Sequence, residues 1–106
     1  MNTSRELNSV GMTVEWNQRK AAANLNKHRV AFEDAATVFL DPFATTFPDP
    51  DHSPEERREI TIGCTLKGHV VFVSHCERLG RIRIISARLG TRSERKQYEE
   101  GTGGET

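Results

Sequence analysis

The stretch HVVFVSHCERLGRIRIISAR, residues 69–88, decides the fold of this chain. Its two runs HVVFVSHC (69–76) and RIRIISAR (81–88) are rich in β-branched residues, and a short connection containing Leu79-Gly80 joins them. Short glycine-bearing connections between such runs predict an antiparallel hairpin. Residues 75–88 also carry four arginines, one histidine and one glutamate. Such a strand can be a solvated edge, a surface that docks a partner, or a site that cuts a phosphodiester.

Three further segments predict strands, because they alternate or are rich in β-branched residues. They are MTVEW (12–16), FATTF (43–47) and REITIGCT (58–65). The last of them leads into the hairpin through Leu66-Lys67-Gly68. The segment from residue 58 to residue 88 therefore predicts an antiparallel meander.

Helices are predicted before and after this meander. Asn17 can cap a helix that runs to Lys27. AFEDAATVFL (31–40) repeats the helical spacing until Asp41-Pro42 ends it. The segment TRSE (91–94) is a capping box that starts a last helix. The fold class is therefore α+β, with two helices before the antiparallel sheet and one after it.

The length of 106 residues suits one domain with one modest core. Residues 1–11 and 101–106 are polar and lack periodicity, so they predict a disordered lead and a flexible tail around a single domain over residues 12–100. The two cysteines, Cys64 and Cys76, lack metal-ligand spacing, and no metal or cofactor is expected. No signal peptide or membrane span is visible, which predicts a cytoplasmic protein without a membrane partner.

Charge is segregated along the chain although 15 basic residues balance 15 acidic residues. Residues 41–59 carry six acids against two arginines, a net charge of −4. Residues 81–96 carry six bases against one glutamate, a net charge of +5. A local basic field attracts phosphate even in a neutral protein. Direct DNA binding is the weaker interpretation, because the total charge is near neutral and no recognition helix is evident.

A turn over residues 76–80 places His75 opposite Arg83 and Glu77 opposite Arg81, since side chains of paired strands face one another. A turn over residues 66–68 likewise places Ile60 beside His75 and Arg58 beside Glu77. A polar cluster then lies at the rim of an apolar sheet face and forms a reasonable small site. The alternative is an ion-pair ladder through Arg58, Glu77 and Arg81, which is common on sheets and weakly stabilising.

Three blocks of the chain resemble the BrnT family, the toxin half of BrnT–BrnA type II toxin–antitoxin systems. The blocks are VEWNQRKAAANLNKHRVAFEDAATVFLDP, PDPDHSPEERREITIG and VVFVSHCERLGRIRIISARLGTRSERKQYEEG. RIRIISAR followed by ERKQYE is the most specific part of a resemblance that runs from about Val14 to Gly101. Arg29 departs from the family's glycine, at a cost of roughly 1 kcal/mol if the left-handed conformation is kept. Gly90 stands where alanine is common.

The resemblance implies a RelE-like fold and an endoribonuclease that blocks translation by cleaving RNA. It also implies a ribbon-helix-helix antitoxin, similar to BrnA, that holds the enzyme inactive and provides its only link to DNA. The alternative is a catalytically inactive module that keeps antitoxin binding and acts in operon autoregulation.

Metal-independent RNA cleavage needs a base for the 2′-OH, cations for the phosphoryl oxygens and an acid for the leaving oxygen. We expect His75 to act as base or acid, and Glu77 to orient it or act as the base itself. Arg83 is the third expected catalytic residue and would bind a scissile or flanking phosphate. Candidates for contacts with RNA phosphates or bases are Arg58, Arg81, Arg88, Tyr98 and Lys27.

Several of these side chains have a second interpretation. Strand alternation points Arg88 away from Arg81 and Arg83, unless it turns at the strand end towards Arg92 or Tyr98. For Tyr98, a core position on the last helix is favoured over a contact with RNA. His28 completes an apolar helical stripe, which is more typical of a packed histidine than of a catalytic one. His52 lies in the acidic loop PDPDHSPEE, which resembles a carboxylate/histidine metal cluster but matches no specific metal loop, so a solvated turn is favoured. His69 follows a glycine turn and is expected to be exposed.

Overall fold

The structure, a computed structural model, describes residues 2–7, 12–51 and 57–102. These residues form a mixed α+β domain with one six-stranded sheet and three helices. In chain order the elements are β1 (Asn2–Leu7), β2 (Met12–Asn17), α1 (Gln18–His28), α2 (Phe32–Ala35) continued by a 3₁₀ helix (Ala36–Leu40), β3 (Thr45–Pro48), β4 (Glu59–Cys64), β5 (Val70–Arg78), β6 (Arg81–Leu89) and α3 (Arg92–Thr102).

The sheet has the strand order β1-β2-β6-β5-β4-β3. Strands β3 to β6 pair in sequence and antiparallel, which confirms the predicted meander. Strand β2 joins the outer side of β6 as a parallel neighbour, where Val14 pairs with Ile82 and Glu15 with Arg83. Strand β2 therefore lies beside β6, the basic strand of the hairpin, although the first helices and strands β3 to β5 separate the two in sequence.

Residues 2–7 and 101–102, which the sequence assigns to a disordered lead and a flexible tail, have regular secondary structure. Residues 2–7 form β1, which pairs antiparallel with β2 and gives their backbone groups partners that a disordered lead would leave to water. Helix α3 extends through Gly101 and Thr102. Residues 1, 8–11 and 103–106 lie outside the described residues.

One face of the sheet, called the inner face here, packs on α1, α2 and the 3₁₀ helix. The largest fully buried side chains include Trp16, Phe32, Val14, Val38, Val71, Val73 and Ile84. The rings of Trp16 and Phe32 meet edge to face with centroids 6.1 Å apart, a favoured geometry for aromatic pairs. This core fixes which strand residues face inward and leaves their neighbours on the opposite, outer face.

Helix α1 is anchored at both ends. Asn17 Oδ1 accepts the N–H groups of Arg19 and Lys20 at 2.9 and 3.1 Å, which confirms the predicted N-cap. Farther along, the buried side chain of Asn24 binds the backbone of Ala87 in β6. This pair of hydrogen bonds continues the edge of β6 beyond the end of β2 and holds the last turn of α1 beside β6.

Helix α3 begins at the predicted capping box. The Thr91 N–H donates to Glu94 Oε1 at 2.8 Å, and the Glu94 N–H donates to Thr91 Oγ1 at 3.1 Å. Arg95 Nη1 donates to the Gly90 carbonyl at 3.1 Å and ties the first turn to the end of β6. None of the described helices has the length and apolar character that spanning a membrane requires.

Candidate active site

A two-residue turn sets the register of the β5–β6 hairpin. Leu79 has φ 54° and Gly80 has φ 78°. Two successive positive φ values are the pattern of a type I′ turn, whose twist matches that of the flanking strands. The resulting strand pairs are Arg78 with Arg81, Glu77 with Ile82, Cys76 with Arg83 and His75 with Ile84.

The predicted pairs between His75 and Arg83 and between Glu77 and Arg81 are therefore wrong by one residue. Because side chains alternate between the two faces, a shift of one residue places His75 and Arg83 on opposite faces. The β4–β5 register also differs by one residue, since Glu59 faces His75. The predicted cluster is thus divided between the two faces of the sheet.

His75 lies in the core and is 5% exposed. Its Nε2 is 2.7 Å from Thr61 Oγ1, which is hydrogen-bonding distance. The ring of Phe39 meets the imidazole edge to face with centroids 5.0 Å apart. Burial lowers the pKa of His75 to about 4, because the apolar surroundings disfavour the charged ring. At neutral pH His75 is a neutral, enclosed residue.

A bulge in β6 brings Arg88 to the same face as Arg81 and Arg83. Cys76 pairs with Arg83 and Phe72 with Arg88, so a step of four residues along β5 matches a step of five along β6. Alternation along the regular strand β5 places Cys76 and Phe72 on the outer face, and their partners follow them. The expectation that Arg88 points away from the other two arginines is wrong for this reason.

Glu15 of β2 holds two of these arginines. Arg83 Nη1 donates to Glu15 Oε2 at 3.0 Å, and Arg81 Nη1 donates to Glu15 Oε1 at 3.4 Å. The side chain of Arg83 is only 17% exposed, whereas that of Arg81 is 54% exposed. Arg83 therefore neutralises a buried carboxylate, and Arg81 keeps most of its surface open to solvent.

A cleft of about 270 Å³ opens on the outer face. Its lining residues are His28, Asp49, Asp51, Arg58, Ile60, Phe72, Ser74, Ser86, Ala87 and Arg88. Strands β4, β5 and β6 form the floor of the cleft, and His28, the last residue of α1, lies at its side. The connection between β3 and β4 provides Arg58, whose carbonyl accepts the N–H of Asp49 at 3.0 Å. The fold thus brings one histidine and two arginines from three separate segments into one cavity.

Several contacts position Arg88 in this cleft. Its Cζ lies 4.2 Å from the ring centroid of Phe72, in a cation–π contact. Its Nη1 and Nη2 donate to Glu94 Oε1 and Oε2 at 2.8 and 3.1 Å. The hydrogen bonds from Arg88 and from the Thr91 N–H lower the pKa of Glu94 to about 2, and the Glu94 bond raises the pKa of Arg88. Both partners are charged at neutral pH.

The other predicted residues lie outside the cleft. Tyr98 donates its hydroxyl hydrogen bond to Asp41 and lines an apolar groove between α3 and the sheet. Burial and the bond to Asp41 raise the pKa of Tyr98. Lys27 is exposed on α1, one residue before His28, and Glu77 is exposed near the hairpin turn.

Two of the remaining predictions concern histidines and metal ligands. His69 Nδ1 lies 2.9 Å from Asp34 Oδ2 and is about half exposed, and His52 lies outside the described residues. Within residues 2–7, 12–51 and 57–102, no three His, Cys, Asp or Glu side chains are grouped so that they could hold a metal ion.

A comparison with protein families identifies the chain. The model of the family described as the ribonuclease toxin BrnT of type II toxin–antitoxin systems matches residues 16–94. The chain belongs to the BrnT family. All cleft residues fall within the matched segment, as does Glu94. Membership of a type II toxin–antitoxin family also implies an antitoxin partner.

A solved BrnT structure supports the same fold. The chain resembles the ribonuclease toxin BrnT of Brucella abortus, known from a 1.1 Å crystal structure, with a TM-score of 0.57 and 21% sequence identity. The likeness covers 73% of this chain and 94% of the Brucella chain. No curated protein matches the sequence.

The sequence favoured a packed position for His28, the histidine that lines the cleft in the structure. His28 fits the apolar stripe of α1, so spacing alone favoured a packed residue. The available signal was its position at the helix end, where a residue can leave the core and turn towards a neighbouring strand.

Proposed function

We propose that this BrnT family member cleaves RNA in the outer-face cleft without a metal ion, using the 2′-OH of the RNA as the nucleophile. The observation that carries the proposal is the convergence of His28, Arg58 and Arg88 on one cavity. These side chains supply the proton carrier and the fixed positive charges that such a reaction needs.

His28 is the proposed proton carrier. Its partly exposed imidazole lines the cavity, and an imidazole ring can accept the proton of the 2′-OH or donate one to the leaving oxygen. His75, which the sequence suggested for this role, is buried on the inner face of the sheet, away from the cleft. Glu77 lies outside the cavity and Arg83 is engaged with Glu15, so we assign neither to proton transfer or charge stabilisation.

Arg58 and Arg88 are the proposed phosphate ligands. Arginine offers planar, permanently charged donors that match phosphate oxygens, and such donors stabilise the negative charge that develops at phosphorus. The exposed side chains of Arg81, on the same face, and Lys27, beside His28, are placed to contact flanking phosphates. Tyr98 is not part of this proposal, because its hydroxyl is engaged with Asp41.

The biological consequence we propose is inhibition of translation through RNA cleavage in the cytoplasm, within a RelE-like fold. A ribbon-helix-helix antitoxin would neutralise the enzyme, and we expect acidic groups on it to complement the basic outer face. Family membership supports the toxin and its partner, and the charge of β6 supports the docking surface.

The test is incubation of the purified chain with RNA in the presence of EDTA. Wild type, Arg58→Ala and Arg88→Ala are compared with Arg19→Ala, which removes one exposed charge from the start of α1. We expect cleavage by wild type and Arg19→Ala, with large losses in the two cleft variants. If folded wild type at high concentration leaves RNA intact, the enzyme proposal is wrong. Co-purification with a neighbour-encoded protein would then favour the inactive antitoxin-binding module.

A further inference from the structure

We infer that Glu94 is a positioning residue for RNA cleavage, which fixes Arg88 so that one edge of its guanidinium stays open for a phosphate group. The inference rests on the proposed function of the cleft and adds a residue that does not line it. Glu94 acts from α3, on the far side of Arg88, and does not contact the RNA in this account.

Three contacts determine where the guanidinium of Arg88 lies. The ring of Phe72 covers one of its faces. Glu94 accepts hydrogen bonds from both terminal nitrogens, and the Leu89 carbonyl accepts another from Nη1 at 3.3 Å. Contacts on one face and at the end of a planar group restrict its rotation, so its remaining N–H bonds point in a defined direction.

The remaining N–H bonds form the edge that we assign to phosphate. Arginine has five N–H donors, and the contacts with Glu94 and Leu89 use both hydrogens of Nη1 and one of Nη2. The Nε–H and the second Nη2–H are left on one side of the guanidinium, and neither has an acceptor among the described residues. The side chain of Arg88 is 43% exposed and lines the cleft, so we assign this edge to the cleft. Its two parallel donors match two phosphate oxygens.

Glu94 is suited to this task because its own position is fixed. The same oxygen that accepts from Arg88 Nη1 accepts the Thr91 N–H, so the carboxylate is tied to the start of α3. A carboxylate beside a bound phosphate weakens overall attraction for RNA while it orients the arginine. The inference therefore predicts a specific kinetic split, in which loss of Glu94 lowers kcat without weakening RNA binding.

The experiment compares Glu94→Gln with Thr91→Ala in the full chain. Glutamine keeps an oxygen for the Thr91 N–H but cannot hold Arg88 with two charged acceptors, whereas Thr91→Ala weakens the helix cap and leaves the Arg88–Glu94 pair intact. Cleavage of an RNA oligonucleotide gives kcat, and a 2′-O-methyl oligonucleotide that cannot be cleaved gives Kd.

We expect Glu94→Gln to lower kcat at least about tenfold, in line with the cost of misplacing a catalytic group. Its Kd should be unchanged or tighter, and Thr91→Ala should keep kcat within about threefold of wild type. The inference is overturned if Glu94→Gln cleaves as fast as wild type or faster, since Glu94 would then be idle or a competitor of the phosphate. It is also overturned if Thr91→Ala reproduces the loss, since Glu94 would then act only through helix stability.

A spectroscopic readout separates this inference from the proposed function. The Arg88 Nε–H resonance, assigned by its absence in Arg88→Lys, should shift when the 2′-O-methyl oligonucleotide binds wild type, and should broaden in free Glu94→Gln. If wild type neither cleaves nor binds RNA, the proposed function fails. If wild type does both and its Arg88 signal does not respond, only the assignment of this edge fails.

Discussion

Thr61 Oγ1 lies 2.7 Å from His75 Nε2 in the core, on the face of the sheet opposite Arg83. The pair joins β4 to β5 beneath the 3₁₀ helix, where Phe39 packs against the imidazole. Because His75 is buried as a neutral group, protonation of its imidazole opposes folding. The free energy of unfolding should therefore depend on pH.

Stability should fall between about pH 6.5 and pH 4. The pKa of His75 is near 6.5 in the unfolded chain and about 4 in the folded chain, so over this range only the unfolded chain takes up the proton. The contribution is fully present above pH 6.5 and is lost as pH falls, by up to about 3 kcal/mol.

Urea unfolding of wild type and His75→Gln at several pH values measures this contribution. Glutamine does not titrate, and Glu59, the neighbour of His75 in β4, is present in both proteins. The difference in unfolding free energy between the two should therefore change with pH over this range. A difference that stays constant would contradict the buried, neutral state of His75.

Replacement of Arg29 by glycine should stabilise the protein. Arg29 ends α1 with φ 60° and ψ 29°, a left-handed conformation that a Cβ atom disfavours. We expect Arg29→Gly to raise the unfolding free energy by about 0.5–1 kcal/mol relative to Arg29→Ala, which loses the same charge and keeps the Cβ. Equal stability of the two variants in chemical denaturation would count against the left-handed helix end.

Asn24→Ala should lower the free energy of unfolding by about 3 kcal/mol, because it leaves buried backbone groups without partners. The Asn24 amide nitrogen donates to the carbonyls of Val30 and Ala87 at 3.0 and 2.9 Å, and its oxygen accepts the Ala87 N–H at 3.0 Å. Asn26→Ala, an exposed position on the same helix, is the control and should change stability by less than about 0.5 kcal/mol. Similar unfolding midpoints for both variants would show that α1 is held to β6 by other contacts.

The salt dependence of RNA binding should distinguish Arg88 from Arg83. Each phosphate contact with a single strand contributes about 0.7 to the slope of log K against log salt concentration. Arg88→Ala should reduce the slope by about that amount, measured by anisotropy with a 2′-O-methyl oligonucleotide. Arg83→Ala should leave the slope unchanged but lower stability, because the buried carboxylate of Glu15 loses its main partner. A reduced slope in Arg83→Ala with an unchanged slope in Arg88→Ala would instead support Arg83 as the phosphate ligand, as the sequence predicts.

The elements of the fold were largely predictable because local signals specify them. Asn17 and the box from Thr91 to Glu94 are capping residues, and both helices begin where these residues place them. The strands of the meander follow from β-branched runs and glycine turns. These signals act within a few residues of one another, so the sequence displays them directly.

The composition of the site was less predictable, because it depends on two details of β6 that carry weak sequence signals. The hairpin turn places Leu79 at a positive φ, where asparagine or glycine is usual, so its two-residue length was not evident. The bulge between Arg83 and Arg88 changes which side chains share a face. The parallel pairing of β2 with β6, which gives Arg83 its partner Glu15, is a long-range contact that periodicity does not encode.

The most direct test of the central claim compares two histidine variants in one cleavage measurement. Single-turnover rates with an RNA oligonucleotide in EDTA at pH 7 are measured for His28→Ala and His75→Gln, at a temperature where both are folded. The account predicts that His28→Ala loses at least about 100-fold, the usual contribution of general acid–base catalysis, and that His75→Gln stays within about threefold of wild type. Retained activity in His28→Ala together with a large loss in folded His75→Gln would contradict it.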